Sequence, residues 1–184
     1  QKLLLFLLLL LAILEPRATD LKLFVTVDEN RWLTRSGNFY RALSTGKLEE
    51  TYQIEHPGVT IMWLGSAAFW WHYPAYGQEA PAEFKWKEEQ IERFLLLQGY
   101  DPLDILATGR FMVALAITLV LGAAFLIARG LLGEGTAMIA FFLIAFDPFH
   151  VALSRQLHLD GMMSSLMLFS LLAFLVYLYQ GRQL

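Results

Sequence analysis

Two adjacent carboxylates, Asp28 and Glu29, lie beyond a leucine run, and a third acid, Asp160, stands beside His158 and Arg155 at the mouth of another apolar run. A charge at bilayer depth costs about 2.5 to 3.5 kcal/mol on insertion scales, so acids placed at the ends of apolar segments call for a reason. Chemically, one carboxylate can accept a proton from an attacking hydroxyl or amine. A second can orient the acceptor or hold a divalent cation, since Mg²⁺ and Mn²⁺ favour oxygen ligands. The plain alternative is that Asp28 and Glu29 begin a helix, where acids are favourable.

Arg155 can take a substrate phosphate in bidentate fashion or anchor to lipid phosphate. His158 and Asp160 lie two apart, which is wrong for one helical face, and no HExxH-like spacing exists, so zinc is not supported. His56 opens the turn His56-Pro57-Gly58 and serves either that turn or a substrate beside it. Asp147-Pro148-Phe149-His150 reads as structural. With Cys 0 there is no disulfide framework or thiolate, which leaves Asp, Glu and His to carry any chemistry.

The elements that must position these groups are membrane helices. The chain is 57% hydrophobic over 184 residues, with mean hydropathy +0.48, more apolar surface than a soluble fold of this size buries. A net charge of -3 spread over both signs leaves no nucleic-acid footprint. Leu3–Leu14 is a 12-residue apolar run, short of the roughly 20 residues that span a bilayer, and reads as a trimmed first span rather than a signal peptide. A start at Gln1 and an end at Leu184 suggest a processed or partial polypeptide.

Three further spans are expected in 108–184. Thr108–Ala128 carries one charge, Arg110, expected to snorkel to the interface; Thr136–Phe146 continues through Asp147-Pro148 to Leu153; Gly161–Tyr179 is uncharged and ends in the anchors Tyr177, Tyr179 and Arg182. Val59–Tyr73, with Trp63, Trp70 and Trp71, is too short to cross and reads as interfacial. Lys2, Arg129 and Arg182 then lie on one side, in line with the positive-inside rule, and Asp28 and Asp160 share the other.

Residues 15–107 thus form one long external loop. Trp32, Leu33, Phe39, Tyr40 and Leu43 recur at helical spacing among Arg31, Arg35 and Arg41, predicting a helix lying in the headgroup plane. A second amphipathic helix is predicted over Ala82–Leu97, ended by Gly99 and Pro102. The expected fold is an all-α integral membrane protein: a multi-span helical bundle with amphipathic juxtamembrane helices in its first external loop.

The order of parts resembles a known family. A leucine-rich first span, Val27-Asp28-Glu29, an amphipathic stretch with Tyr40, His56-Pro57-Gly58, a span opening at Gly109-Arg110, and Ser154-Arg155 leading to Leu159-Asp160 resemble the N-terminal third of the C-type-fold membrane glycosyltransferases. The nearest likeness is to family 39, the protein O-mannosyltransferase and aminoarabinose-transferase-like enzymes. The resemblance implies inverting transfer of a sugar from a polyprenyl-phosphate carrier to a lipid or protein acceptor on the outer or lumenal face, in a bacterial plasma membrane. Asp28 would match the catalytic base, with Glu29 assisting acceptor binding. Asp160 would match the acid of the second external loop, and Arg155 would lie near the carrier phosphate. His56 matches the start of the family's His-Pro-Pro motif, from which Gly58 departs. Metal dependence stays open under this resemblance.

Two readings compete. In a non-catalytic membrane subunit or scaffold the acids merely cap interfacial helices. A transporter would carry charges at mid-depth, and only Asp147 is a candidate, which argues against transport.

Overall fold

The computed structural model describes residues 2–53, 58–81, 83–85 and 90–181. Among these the chain is helical and contains no strand: α1 (Lys2–Ala18), α2 (Val27–Thr45), α3 (Val59–His72), α4 (Tyr76–Glu79), α5 (Gln90–Leu97), α6 (Pro102–Leu132), α7 (Glu134–Phe146), α8 (Pro148–Ser154) and α9 (Asp160–Gln180). A single 3₁₀ turn covers Leu48–Thr51. Two helices, α6 and α9, are long and apolar enough to cross a membrane, and α7 with α8 makes a third crossing if the pair is one broken span. At 1.5 Å per residue α6 is about 46 Å long, more than a bilayer's hydrocarbon core, and α9 about 31 Å. The helix opening near Arg110 therefore begins earlier than its apolar run, at Pro102.

The chain divides into two compact units, residues 1–19, 114–155 and 160–184 in the first, and 20–113 with 156–159 in the second. In the first unit α1 packs along α7. Lys2 pairs with Glu134 at one end, and Arg17 binds the carbonyls of Ile144 and Ala145 at the other, so the two helices run parallel. Gly122 of α6 allows the approach of α1, since a Cβ there would meet Leu10 at 2.6 Å. Phe6 stacks on Phe125, which meets Phe141 edge-on. The run expected to continue through Pro148 does so as a second helix, not as one unbroken helix. The helix breaks at Asp147 with a bend of 62°, because Asp147 leaves the helical conformation and caps α8, its carboxylate accepting from the His150 N–H at 2.6 Å with Pro148 following at the first helical position.

The second unit is built around α2. Gly46, at φ 72°, turns the chain so that the N–H groups of Gly46 and Lys47 reach the carbonyls of Leu43 and Ala42, closing the helix. Helix α3 lies on α2 at close range. A Cβ on Gly65 would sit 2.1 Å from Ser36 Oγ, and Ser66 Oγ donates to the Ser36 carbonyl at 3.1 Å. Phe69, Tyr73, Tyr76, Ile91, Leu95 and Ile105 complete an apolar core against Leu33.

Helix α2, expected to lie in the headgroup plane with one side exposed, has no exposed side over its middle. From Trp32 to Phe39 every residue of α2 is buried, including Thr34, Arg35, Ser36 and Asn38, so the helix is the centre of its unit. Asn38 and Arg35 find internal partners, while the Ser36 hydroxyl is buried without one among the described residues. Asn38 exchanges two hydrogen bonds with the backbone of Phe84 and donates to Gln53, and Arg35 lies 4.9 Å over the Trp32 ring. Of the second predicted amphipathic helix, Gln90–Leu97 is helical; Ala82 and residues 86–89 lie outside the described residues.

Candidate functional site

Helix α2 starts at Thr26, and the two acids beside it have different surroundings. Asp28 faces outward, with 55% of its side chain exposed, and pairs with Arg31 at 3.3 Å one turn on. Glu29 occupies the third helical position and is fully buried. Its Oε2 accepts from the Thr26 N–H at 3.0 Å and from the Thr26 hydroxyl at 3.1 Å. Its Oε1 accepts from the Leu157 N–H at 3.0 Å. Arg110 then closes on both oxygens, Nε to Oε1 and Nη2 to Oε2, each at 2.6 Å.

Arg110 is the residue the sequence reading placed at the interface, and that expectation is overturned. It is 3% exposed, and its remaining donors go to the carbonyls of Leu21, Leu23 and Phe24. All five guanidinium N–H groups are therefore used. Snorkelling loses to this arrangement because a buried carboxylate and three backbone carbonyls supply what water would. Burial alone would push the Glu29 carboxyl up. The hydrogen bonds from Arg110, Thr26 and Leu157, with the Arg110 charge, outweigh it and hold the group below the ordinary carboxylate range. An acid enclosed in this way fixes the backbone that carries Asp28, and both of its oxygens accept from protein donors.

The remaining predicted residues fall as follows. His158 meets the buried Trp32 edge-on, ring centroids 5.9 Å apart, in the second unit. Asp160 is exposed and opens α9, in the first unit. Arg155, after α8, donates to the Thr19 carbonyl at 2.6 Å. His56 and Pro57 lie outside the described residues. Among the described residues no group of three or more His, Asp or Glu is gathered to hold a metal ion.

A second polar node escaped the sequence reading. Arg17, fully buried near the end of α1, donates to the carbonyls of Ile13, Ala145 and Ile144 and to His150 Nδ1 at 2.9 Å. His150 Nε2 lies 3.2 Å from Ser165 Oγ, beside a cavity of about 300 Å³ that Asp147 and Ser164 also line. A serine, a histidine and a cavity are the parts of a nucleophilic site, but the proton order forbids it. A guanidinium only donates, so Nδ1 accepts and the ring proton sits on Nε2, donating to Ser165. The Ser165 hydroxyl in turn donates a hydrogen bond to the Gly161 carbonyl at 2.7 Å. His150 has no lone pair left to activate the serine.

No protein-family model, curated protein or solved structure matches this chain.

Proposed function

We propose that this chain is a membrane-embedded glycosyltransferase, or the part of one, that uses a polyprenyl-phosphate sugar, with Asp28 as general base. The reading takes the protein as multi-pass in a bacterial plasma membrane, its active face outside. The observation that supports it best is the contrast at the start of α2: an outward-facing carboxylate on backbone that the enclosed Glu29 and Arg110 hold still. A general base must be reachable and fixed, and Asp28 is both. In the proposed step Asp28 takes the proton of an acceptor hydroxyl or amine as that atom bonds the anomeric carbon. The anomeric carbon–oxygen bond to phosphate breaks, its electrons leave with the polyprenyl phosphate, and the configuration inverts. Arg155 is proposed for the carrier phosphate and Asp160 as an auxiliary acid, each open to its own variant.

The test is transfer in liposomes against a panel of polyprenyl-phosphate sugars with lipid and peptide acceptors. Asp28→Asn is expected to lower turnover about 10² to 10⁴-fold while leaving insertion unchanged. Undiminished turnover in that variant removes Asp28 as the base, and no transfer from any donor by the unaltered protein removes the glycosyltransferase reading. One observation favours the scaffold alternative: the Asp28–Arg31 pair is an ordinary first-turn ion pair. On that reading the variant changes stability alone.

A further inference from the structure

The second unit holds an apolar turn outward by means of its own polar contacts. Between Asp20 and Thr26 the carbonyls of Leu21, Leu23 and Phe24 are drawn onto Arg110, while the side chains of Leu23, Phe24 and Val25 are 67, 82 and 45% exposed and that of Val27 is 79% exposed. Phe24 adopts φ 50° and Asp20 φ 51°, left-handed conformations that a bulky residue such as Phe24 keeps only where the surroundings impose them. A turn fixed in this way keeps a phenylalanine and its neighbours out of the core and forgoes the stabilisation their burial would bring.

Its position along α6 identifies what replaces the water. Lys22 pairs with Asp104 in the first turn of α6, both side chains exposed. Arg110, which holds the turn, comes six residues later, about 9 Å along the axis. Phe111 then opens a run without charge to Ala128, in a helix apolar and long enough to cross a bilayer. The turn is thus fastened between an ion pair of the kind found at headgroup level and the start of the apolar run. Val25 also joins Leu96 and Leu103 in lining a cavity of about 330 Å³, which extends the apolar surface past the turn.

We propose that Leu23–Val27 is an interfacial wedge that inserts into the acyl-chain region of the bilayer α6 crosses, with Lys22 and Asp104 at the headgroups. The proposal rests on the membrane reading above. It goes beyond it by giving lipid as the occupant of this surface, because the turn is fastened to α6 where the apolar run of a candidate span begins.

The chain has no cysteine, so single spin labels can be placed at will. Phe24→Cys is compared in liposomes with Lys47→Cys, an exposed position past the end of α2, and Leu119→Cys, an exposed position in the middle of α6. The reagents are oxygen, which concentrates in lipid, and a water-soluble nickel chelate. The expected result is a Phe24 label that favours oxygen, as Leu119 does, with nickel accessibility several-fold below that of Lys47. A Phe24 label as open to nickel as Lys47, with Leu119 in lipid, overturns the wedge and leaves the membrane reading standing. Leu119 open to nickel overturns both. A Phe24 label shielded from oxygen and nickel alike means that protein, a second copy or another chain, covers the turn, and that also overturns the wedge.

Discussion

Arg17 in the first compact unit and Arg110 in the second are both buried, and the two are satisfied by opposite means. Arg110 meets a carboxylate: Glu29 takes two of its donors and three backbone carbonyls take the rest. Arg17 meets neutral acceptors alone, three carbonyls and a histidine nitrogen, and its Nε has no partner. Two of those carbonyls, on Ile144 and Ala145, belong to the last turn of α7, where the helix leaves acceptors open and its dipole favours a cation. The lesson is about what a deletion strands. Removing Arg110 leaves an anion buried; removing Arg17 leaves only dipoles unmet.

The largest effect is therefore expected at the ion pair. Arg110→Met should destabilise by about 3 to 5 kcal/mol, because an uncompensated buried carboxylate remains. Glu29→Met with Arg110→Met should recover much of that loss, since two apolar side chains of similar volume leave no charge behind. Chemical unfolding in detergent, with helicity as the signal, measures both. A double variant as unstable as Arg110→Met would mean that the Leu21–Phe24 carbonyls, and not Glu29, carry the energetics.

Arg17→Met should cost less, about 1 to 3 kcal/mol, since the stranded groups are neutral and the desolvation of the guanidinium is relieved at the same time. The same variant should release His150 from its fixed tautomer, so the two ring nitrogens exchange roles in nitrogen NMR. A loss equal to that of Arg110→Met would erase the distinction between the nodes.

Acid sharpens the comparison further. Glu29 is held below its ordinary value near 4.5, so its contribution to stability is full above that pH and is lost as pH falls through the lower folded value. The unfolding free energy should drop with acid in that window, and Glu29→Gln should flatten that part of the curve. Arg17 faces no carboxylate within hydrogen-bond reach, so Arg17→Met should leave the part of the acid slope that Glu29 sets unchanged. An unaltered slope in Glu29→Gln would show that other carboxylates set it.

These nodes mark the limit of what the sequence discloses. Helices α6 and α9 were legible because an apolar run of about 20 residues has few other uses. The amphipathic periodicity of α2 announces a helix but not its burial, since Asn38 and Arg35 carry the polar signature of a solvent face and meet Phe84 and Trp32 instead. Arg110 looked like an anchor because its counter-ion is 81 positions away, and no local pattern reports a pair of that separation. The break at Asp147 was readable in principle: an acid followed by proline is both a helix end and a helix start. Asp28 and Glu29 stand side by side in the sequence, and only their opposite burial separates an exposed carboxylate from an enclosed one.

The smallest expected effect on stability falls at that neighbouring acid. Asp28 is more than half exposed and its partner Arg31 about a third, so water and salt screen the pair. Asp28→Asn should shift unfolding by at most about 1 kcal/mol, and raising salt should shrink even that difference. Arg31→Ala removes the same pair from the other side and should match it. The two variants then separate in transfer assays: if Asp28 is the base, Asp28→Asn abolishes turnover while Arg31→Ala, which leaves the carboxylate in place, keeps most of it. Equal losses of turnover in both, with equal stability, would assign the activity to the ion pair's geometry and not to proton transfer by Asp28.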